Sequence, residues 1–285
     1  MKINKVTKQH KRYPHYLLEI ASPPKQLYVL GEGLNEYLPA VTIVGSRKPS
    51  LYGQEVAYRL AFELAQAGIT IVSGLALGTD GIVHQAALDA GGKTIAVLAC
   101  GLDVLYPAKH RNLAIDILKK GSAILSEYET GMPALKQNFI ARNRIVAGLS
   151  DMIIITEAAD ASGSLVTANF GLEQNKLIGA VPGNITSPLS FGPNQLIKSG
   201  AHVITNAEEV LQAIGFEQNI LATSDVFGDT KEEQMIIDIL KLGITDLEHL
   251  QAKSMLEPAI FSQTLTMLEI SGKIRPLGAG HWTLV

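Results

Sequence analysis

From Val41 to Ile204 the chain alternates regularly between short apolar runs and helix-length segments, with glycine turns after several of the runs and no internal sequence repeat. The runs are Val41–Val44, Thr70–Val72, Thr94–Ala99, Ala123–Leu125, Met152–Thr156, Leu177–Val181 and Val203–Ile204. Runs this short and apolar read as strands buried on both faces. The segments between them predict helices over Tyr52–Ala67, Ile82–Ala90, Phe139–Leu149, Asn194–Ser199 and Ala207–Ile214. Two more are predicted, one ending at Lys120 and one running from the Ser162-Gly163-Ser164 turn to Asn175. Strands separated by helices connect through right-handed crossovers, so the expectation is a doubly wound α/β fold with a mostly parallel sheet. Such sheets bind ligands beyond the carboxyl ends of their strands. The turns at Gly45, Gly74 and Gly163 all lie at those ends and are expected to converge on one crevice.

The flanks differ from this core. Residues 1–12 are basic and polar and are expected to fray, Tyr13–Ile20 to form a short helix, and Leu27–Gly31 to be an edge segment. The alternating segments make one domain over residues 13–215. Residues 216–229 have no period and read as a linker. Residues 230–285 hold three predicted helices, Lys231–Leu240, Asp246–Leu250 and Pro258–Ile270, and a hairpin over Lys273–Leu277 and His281–Val285. Three helices and a hairpin at this length predict a small winged-helix domain.

Composition narrows the function classes. The 285 residues are 47% hydrophobic and 18% charged, which suits a chain with a sizeable core. No apolar run reaches the roughly 18 residues that span a bilayer, and the first residues lack a secretory signal. A cytoplasmic location and no membrane contact are expected. The single cysteine, Cys100, excludes an intramolecular disulfide and a cysteine metal cluster, and it reads as buried packing. No histidine spacing suggests a metal site. The net charge of −3 gives no global pull toward nucleic acid, so any such binding must rest on a local patch.

That patch has candidates. Gly45-Ser46-Arg47 joins a strand to a helix, a geometry that leaves backbone N–H groups free for an anion beside a fixed cation. Neither the Gly-x-Gly-x-x-Gly fingerprint nor a P-loop is present there. The turn Ser73–Asp80 offers close approach at Gly74, with Asp80 as a helix cap and His84 as a packed helix residue. Between Lys136 and Arg144 stand three cations, an aromatic and an amide: Lys136, Phe139, Arg142, Asn143 and Arg144. Phosphates need cations, and an unstacked base needs an aromatic face. Helical spacing puts these groups on more than one face, so only some can reach one ligand. Ser162-Gly163-Ser164 opens a helix with hydroxyls and free N–H groups, a third anion seat or a plain N-cap. Glu127 and Glu157 follow strands, but nothing pairs them into an acid/base system, so no catalytic residue is assigned and no cofactor is expected.

The ordered motifs carry a resemblance. Ile43-Val-Gly-Ser-Arg47, Val72-Ser-Gly-Leu-Ala76, Gly101-Leu-Asp103, Tyr106-Pro107 and Leu125-Ser-Glu-Tyr128 are followed by Phe139…Arg142-Asn-Arg144, Ser162-Gly-Ser164, Val181-Pro-Gly183 and Gly200-Ala201. Together, over about residues 13–214, they closely resemble the DNA-processing protein A family (DprA, also called Smf). The resemblance implies an extended Rossmann-like domain that binds single-stranded DNA without hydrolysing it. It also implies loading of the RecA recombinase onto incoming DNA in natural transformation, and a homodimer formed through this domain. Gly45, Ser46 and Arg47 would hold phosphates, Lys136 would add charge, Phe139 would stack on a base, and the Gly74 and Gly163 turns would line the pocket. The segment Asn194–Val203, with Asn194, Leu196, Ile197 and Val203, would lie at the dimer contact.

Two departures stand out. Many family members carry an N-terminal helical module, whereas 12 residues precede Tyr13 here, so that module is expected to be missing or removed. From Asp229 onward there are five cations against eight carboxylates, and Pro258–Ile270 contains no Lys or Arg. A DNA-reading helix relies on such groups, so the winged helix is expected to contact protein. The alternatives are a nucleotide-binding enzyme or sensor of the lysine-decarboxylase-like Rossmann group and a purely structural scaffold. Against the first, Ala161–Thr167 lacks the double glycine and the water-activating glutamate of that group.

Overall fold

A computed structural model describes residues 2–32, 39–216, 228–241, 244–278 and 281–284. The chain divides into two units, Met1–Phe216 and Glu217–Val285.

Among its described residues the first unit is built on nine strands: β1 (Asn4–Thr7), β2 (Gln26–Gly31), β3 (Ala40–Val44), β4 (Thr70–Ser73), β5 (Thr94–Leu98), β6 (Ala123–Ser126), β7 (Met152–Ile155), β8 (Leu177–Ala180) and β9 (His202–Val203). They form one sheet in the order β1-β2-β6-β5-β4-β3-β7-β8-β9. The pairs β1–β2 and β2–β6 are antiparallel and the others are parallel. Its helices are α1 (Leu51–Gln66), α2 (Thr79–Asp89), α3 (Arg111–Lys119), α4 (Lys136–Gly148), α5 (Gly163–Glu173), α6 (Phe191–Lys198) and α7 (Ala207–Ala213). From β3 the chain winds one way through β4, β5 and β6, then returns past β3 to build β7, β8 and β9. The order reverses between β3 and β7, which is the switch point of a Rossmann-like sheet, where a crevice opens at the strands' carboxyl ends.

The pleat sends alternate residues of each strand to opposite faces of the sheet. Along β3, Val41 and Ile43 face the layer of α1, α2 and α7, packing with Leu60, Leu64, Val83 and Val210. Val44 faces the other layer with Ile145, Val146 and Ala168 of α4 and α5. On that side Thr42 spends its hydroxyl on the Val146 carbonyl at 2.9 Å, which makes a polar β-branched residue acceptable at 0% exposure. β7 alternates in step: Ile154 joins the first core, Ile153 and Ile155 the second.

Three expectations at the flanks are corrected. Residues 4–7 do not fray: they pair with β2, and Val6, 2% exposed, packs into the core. β2 is therefore an interior strand of the sheet, with β1 outside it. Tyr13–Ile20 forms only a 3-10 turn, His15–Leu18, anchored by the buried Tyr13 hydroxyl, which donates to the Pro24 carbonyl at 2.7 Å. The expected linker lies outside the described residues except at its ends.

The second unit is a winged-helix domain of α8 (Lys231–Lys241), α9 (Leu247–Ser254), α10 (Pro258–Ile270) and the hairpin of β10 (Ile274–Gly278) and β11 (His281–Leu284). Ile236, Ile237, Leu240, Leu250, Phe261, Leu265, Leu268 and Ile274 form its core. α9 extends four residues past the predicted end, and Asp246 caps it by accepting from the His249 N–H. The exposed side of α10 carries Ile260, Met267 and Ile270, the last 74% exposed.

Candidate nucleic-acid interface

The switch point opens into a cleft of about 790 Å³. Its walls come from the β3–α1 loop, α4, and the loop from β7 into α5, with the β4–α2 turn as floor.

The β3–α1 loop enters the cleft because residue 45 has no side chain. A Cβ there would lie 2.3 Å from the Thr156 hydroxyl and 2.6 Å from that of Thr79. The Ser46 carbonyl then accepts from both the N–H and the hydroxyl of Thr79, at 3.1 Å each, tying the loop to α2. Ser46 Oγ turns back to the Lys48 N–H at 3.0 Å. Arg47 is left exposed, with its guanidinium 5.4 Å from the Phe139 ring centroid. That is within cation–π range.

α4 starts at Lys136, three residues before the predicted start, so its first turn delivers Lys136 and Phe139 to the rim. Phe139 is half-buried and meets Tyr106 edge-on, centroids 5.6 Å apart and planes at 68°. Neither Arg47 nor Lys136 has a carboxylate partner among the described residues. Both cations are free to meet an anion.

Asn143 lines the same cleft and ties α4 to α5, its amide donating to the Gly163 carbonyl at 3.2 Å. Ser162 is the N-cap of α5; its hydroxyl accepts weakly from the Ser164 N–H at 3.4 Å and lies 2.7 Å from the Ser164 hydroxyl. Ser162, Gly163 and Ser164 thus present a helix N-terminus to the cleft, a favourable place for negative charge.

Three predicted residues sit elsewhere or act differently. Gly74 lies beneath the cleft rather than in its lining. Its N–H goes to Asp80 at 3.1 Å, its carbonyl accepts from Arg142 at 2.8 Å, and a Cβ would be 2.6 Å from the Arg142 guanidinium. Arg142 is 4% exposed and forms the floor, bonded to the carbonyls of Gly74 and Val97. Its buried counter-charge is Asp80, which also accepts the Ala76 N–H at 3.1 Å. Burial pushes the Asp80 carboxyl up and the Arg142 guanidinium down, and the attraction between the two opposes both shifts. Asp80 and Arg142 hold the β4–α2 turn in place under the cleft. Arg144 points away. Its Nη2 donates to both carboxylate oxygens of Glu127 at 2.7 and 2.8 Å, while Nε and Nη1 donate to the carbonyls of Ser22 and Ala141. The cause is helical geometry: five residues along an α-helix turn Arg144 about 140° from Phe139.

Other predictions resolve as packing. His84 is 0% exposed, its Nδ1 2.6 Å from the Thr94 hydroxyl. That hydroxyl gives its own proton to the Ile71 carbonyl, so Nδ1 carries the imidazole hydrogen and Nε2 has no hydrogen-bond partner among the described residues. Cys100 is buried. Glu157 is 2% exposed and accepts the N–H and hydroxyl of Ser50, fixing the start of α1. At the other end of the sheet, Asn194 is bonded to both backbone groups of Gly183, Leu196 packs on the core, and Ile197 is half-buried. Val203 on the sheet's edge strand is 47% exposed. Tyr106 escaped assignment although Tyr106-Pro107 is one of the motifs; an aromatic in a loop after a strand's carboxyl end was the available signal.

Comparison with known proteins places the chain by family and fold. The chain is 44% identical over 204 residues to protein Smf of Escherichia coli, which covers 72% of this chain and 54% of that protein. It thus spans about half the length of that relative. The structure of DNA processing protein A from Streptococcus pneumoniae superposes with a TM-score of 0.69 at 39% identity, covering 74% of each chain. The Helicobacter pylori protein of the same name, whose structure is described by its single-stranded DNA binding mode, gives 0.67 at 34% identity and covers 75% of this chain and 96% of that one. The family profile for the DprA winged helix domain matches residues 222–280. Residues 4–215 match that of the DNA recombination-mediator protein A family, and the chain belongs to this family.

Proposed function

We propose that this protein binds single-stranded DNA in the switch-point cleft, without cleaving it, and delivers it to the RecA recombinase during natural transformation. The observation that carries this reading is a half-buried aromatic ring, Phe139, beside two cations, Arg47 and Lys136, that no carboxylate among the described residues neutralises. Phosphates would sit against Arg47, Lys136 and the N-terminus of α5, and a base on Phe139. The backbone of the Gly45–Arg47 loop would follow the strand without reading its sequence. The single-stranded DNA binding mode of the Helicobacter pylori relative supports the choice of ligand. Binding without chemistry is supported by Asp80: it is the carboxylate lining the cleft among the described residues, and its oxygens accept from Gly74 and Ala76.

The same reading extends to assembly. The protein acts in the cytoplasm as a homodimer through the α6–β9 edge, where Val203 is exposed. The winged helix contacts protein, since α10 offers Ile260, Met267 and Ile270 and no cation. The test is oligonucleotide binding by Arg47→Ala, Lys136→Ala and Phe139→Ala. Removing the ring is expected to cost about 1–3 kcal/mol. Unchanged affinity in all three would sink the assignment.

A further inference from the structure

We propose that Tyr106 is a second base-stacking platform and that a bound strand is splayed between Tyr106 and Phe139. The proposal rests on the single-stranded DNA reading of the cleft and adds a residue and a strand geometry to it.

Tyr106 stands in the loop that follows β5, at the carboxyl end of the sheet, and is 49% exposed. Four other tyrosines of this unit anchor structure through their hydroxyls: Tyr13 to Pro24, Tyr28 to Glu129, Tyr52 to Pro182 and Tyr58 to Asp89. The Tyr106 hydroxyl makes no such bond among the described residues. Its ring instead meets Phe139, centroid to centroid at 5.6 Å. Holding a large ring half in water next to the aromatic that lines the cleft leaves a π-face available to a base. Two exposed cations follow within five residues in sequence, Lys109 and then Arg111 at the start of α3.

The angle between the rings sets the strand's path. Their planes meet at 68°. Bases that stack on both rings cannot stay parallel to each other, so base stacking along the strand must break between the two seats. A single strand yields there at little cost, whereas a duplex would have to unpair and unstack. Selection against duplex then follows from the tilt of two rings as well as from the exposed aromatic face. Arg47, over the Phe139 ring, sits where it can follow the backbone through the bend.

The probe is a short oligothymidylate carrying two adjacent 2-aminopurines, the pair being walked along the strand one step at a time. Bound to the full chain, the pair should lose its exciton circular dichroism at the register that straddles the two rings. Tyr106→Ala should weaken binding about tenfold, within the range of one stacked base, and should retain the exciton signal at every register. Tyr106→Phe should restore both affinity and splaying, because the platform is the ring and not the hydroxyl. Unaltered thermal unfolding of Tyr106→Ala confirms that the loop is intact; should that variant unfold, Tyr106→Leu supplies bulk without a π-face and must weaken binding likewise. The proposal is overturned if Phe139→Ala weakens binding while Tyr106→Ala and Tyr106→Leu bind like the parent, or if the exciton signal survives at every register. If Arg47→Ala and Phe139→Ala are also without effect, the single-stranded DNA reading of the cleft itself fails.

Discussion

Arg144 separates the structural from the binding residues of α4. In the linear sequence it is one of three cations around Phe139, but in the fold its guanidinium is used up internally. Removing it in Arg144→Ala deletes two charged bonds to Glu127 and two donations to the carbonyls of Ser22 and Ala141. The side chains of the pair are 13% and 24% exposed, so solvent screens the charges only in part. Breaking a fully buried pair costs roughly 3–5 kcal/mol; for this partly wet one, about 2–4 kcal/mol is expected. Glu127→Ala should cost a similar amount, and the double variant less than the sum, with a coupling of about 1–3 kcal/mol. Urea unfolding of the four proteins measures this cycle. Fluorescence anisotropy with a labelled single-stranded oligonucleotide, run below the unfolding range, should give Arg144→Ala an affinity within about twofold of the parent. If Arg144→Ala instead weakened binding as much as Lys136→Ala and left stability intact, the division of α4 into a cleft side and a scaffold side would be wrong.

Two further predictions concern the scaffold. Burial of His84 disfavours the charged ring and lowers its pKa from 6.5 to about 3, with a smaller push from the nearby charges of His110 and Arg142. The unfolded chain therefore binds the extra proton first, and stability falls as pH drops through the window from about 6.5 toward 3. Going from pH 7.5 to pH 5 should remove about 2 kcal/mol through this one group, a loss that His84→Gln should lessen when urea midpoints are compared at the two pH values. Gly45→Ala should lower stability by about 1–3 kcal/mol, because its methyl would push on Thr156 and Thr79. Thermal unfolding reads that effect, and Thr79→Ser in the same chain should not relieve it, since the hydroxyl remains.

The Rossmann-like core was legible because its strands are buried on both faces, so that Val41–Val44 or Met152–Thr156 needed no partner to be recognised. β1 was not, since Asn4–Thr7 contributes only Val6 to the core and its polar neighbours look like any solvated lead. β2 looks like an edge for the same reason: what covers it is that inconspicuous strand. Within the cleft, the rule that ligands gather at strand carboxyl ends points to Gly45, Ser46 and Arg47, and the cluster of cations and an aromatic on one segment points to Phe139 and Asn143. Which of the three cations of α4 are free could not be read, because it depends on partners distant in sequence: Gly74 and Val97 for Arg142, Ser22 and Glu127 for Arg144. The true start of α4, three residues earlier than its apolar pattern suggests, is what lets Lys136 and Phe139 share the first turn. Tyr106 needed the loop after β5 folded onto α4 before its ring could be related to Phe139.

Binding of one labelled oligonucleotide, single-stranded and as a duplex, at two salt concentrations tests the central claim most directly. Single strands should bind more tightly, and log affinity should fall linearly with log salt. Arg47→Ala and Lys136→Ala should each reduce that slope by about 0.7, the value for one phosphate contact on a single strand. Equal affinity for both forms, or a slope that neither substitution changes, would contradict the account of the cleft as a seat for a single-stranded backbone.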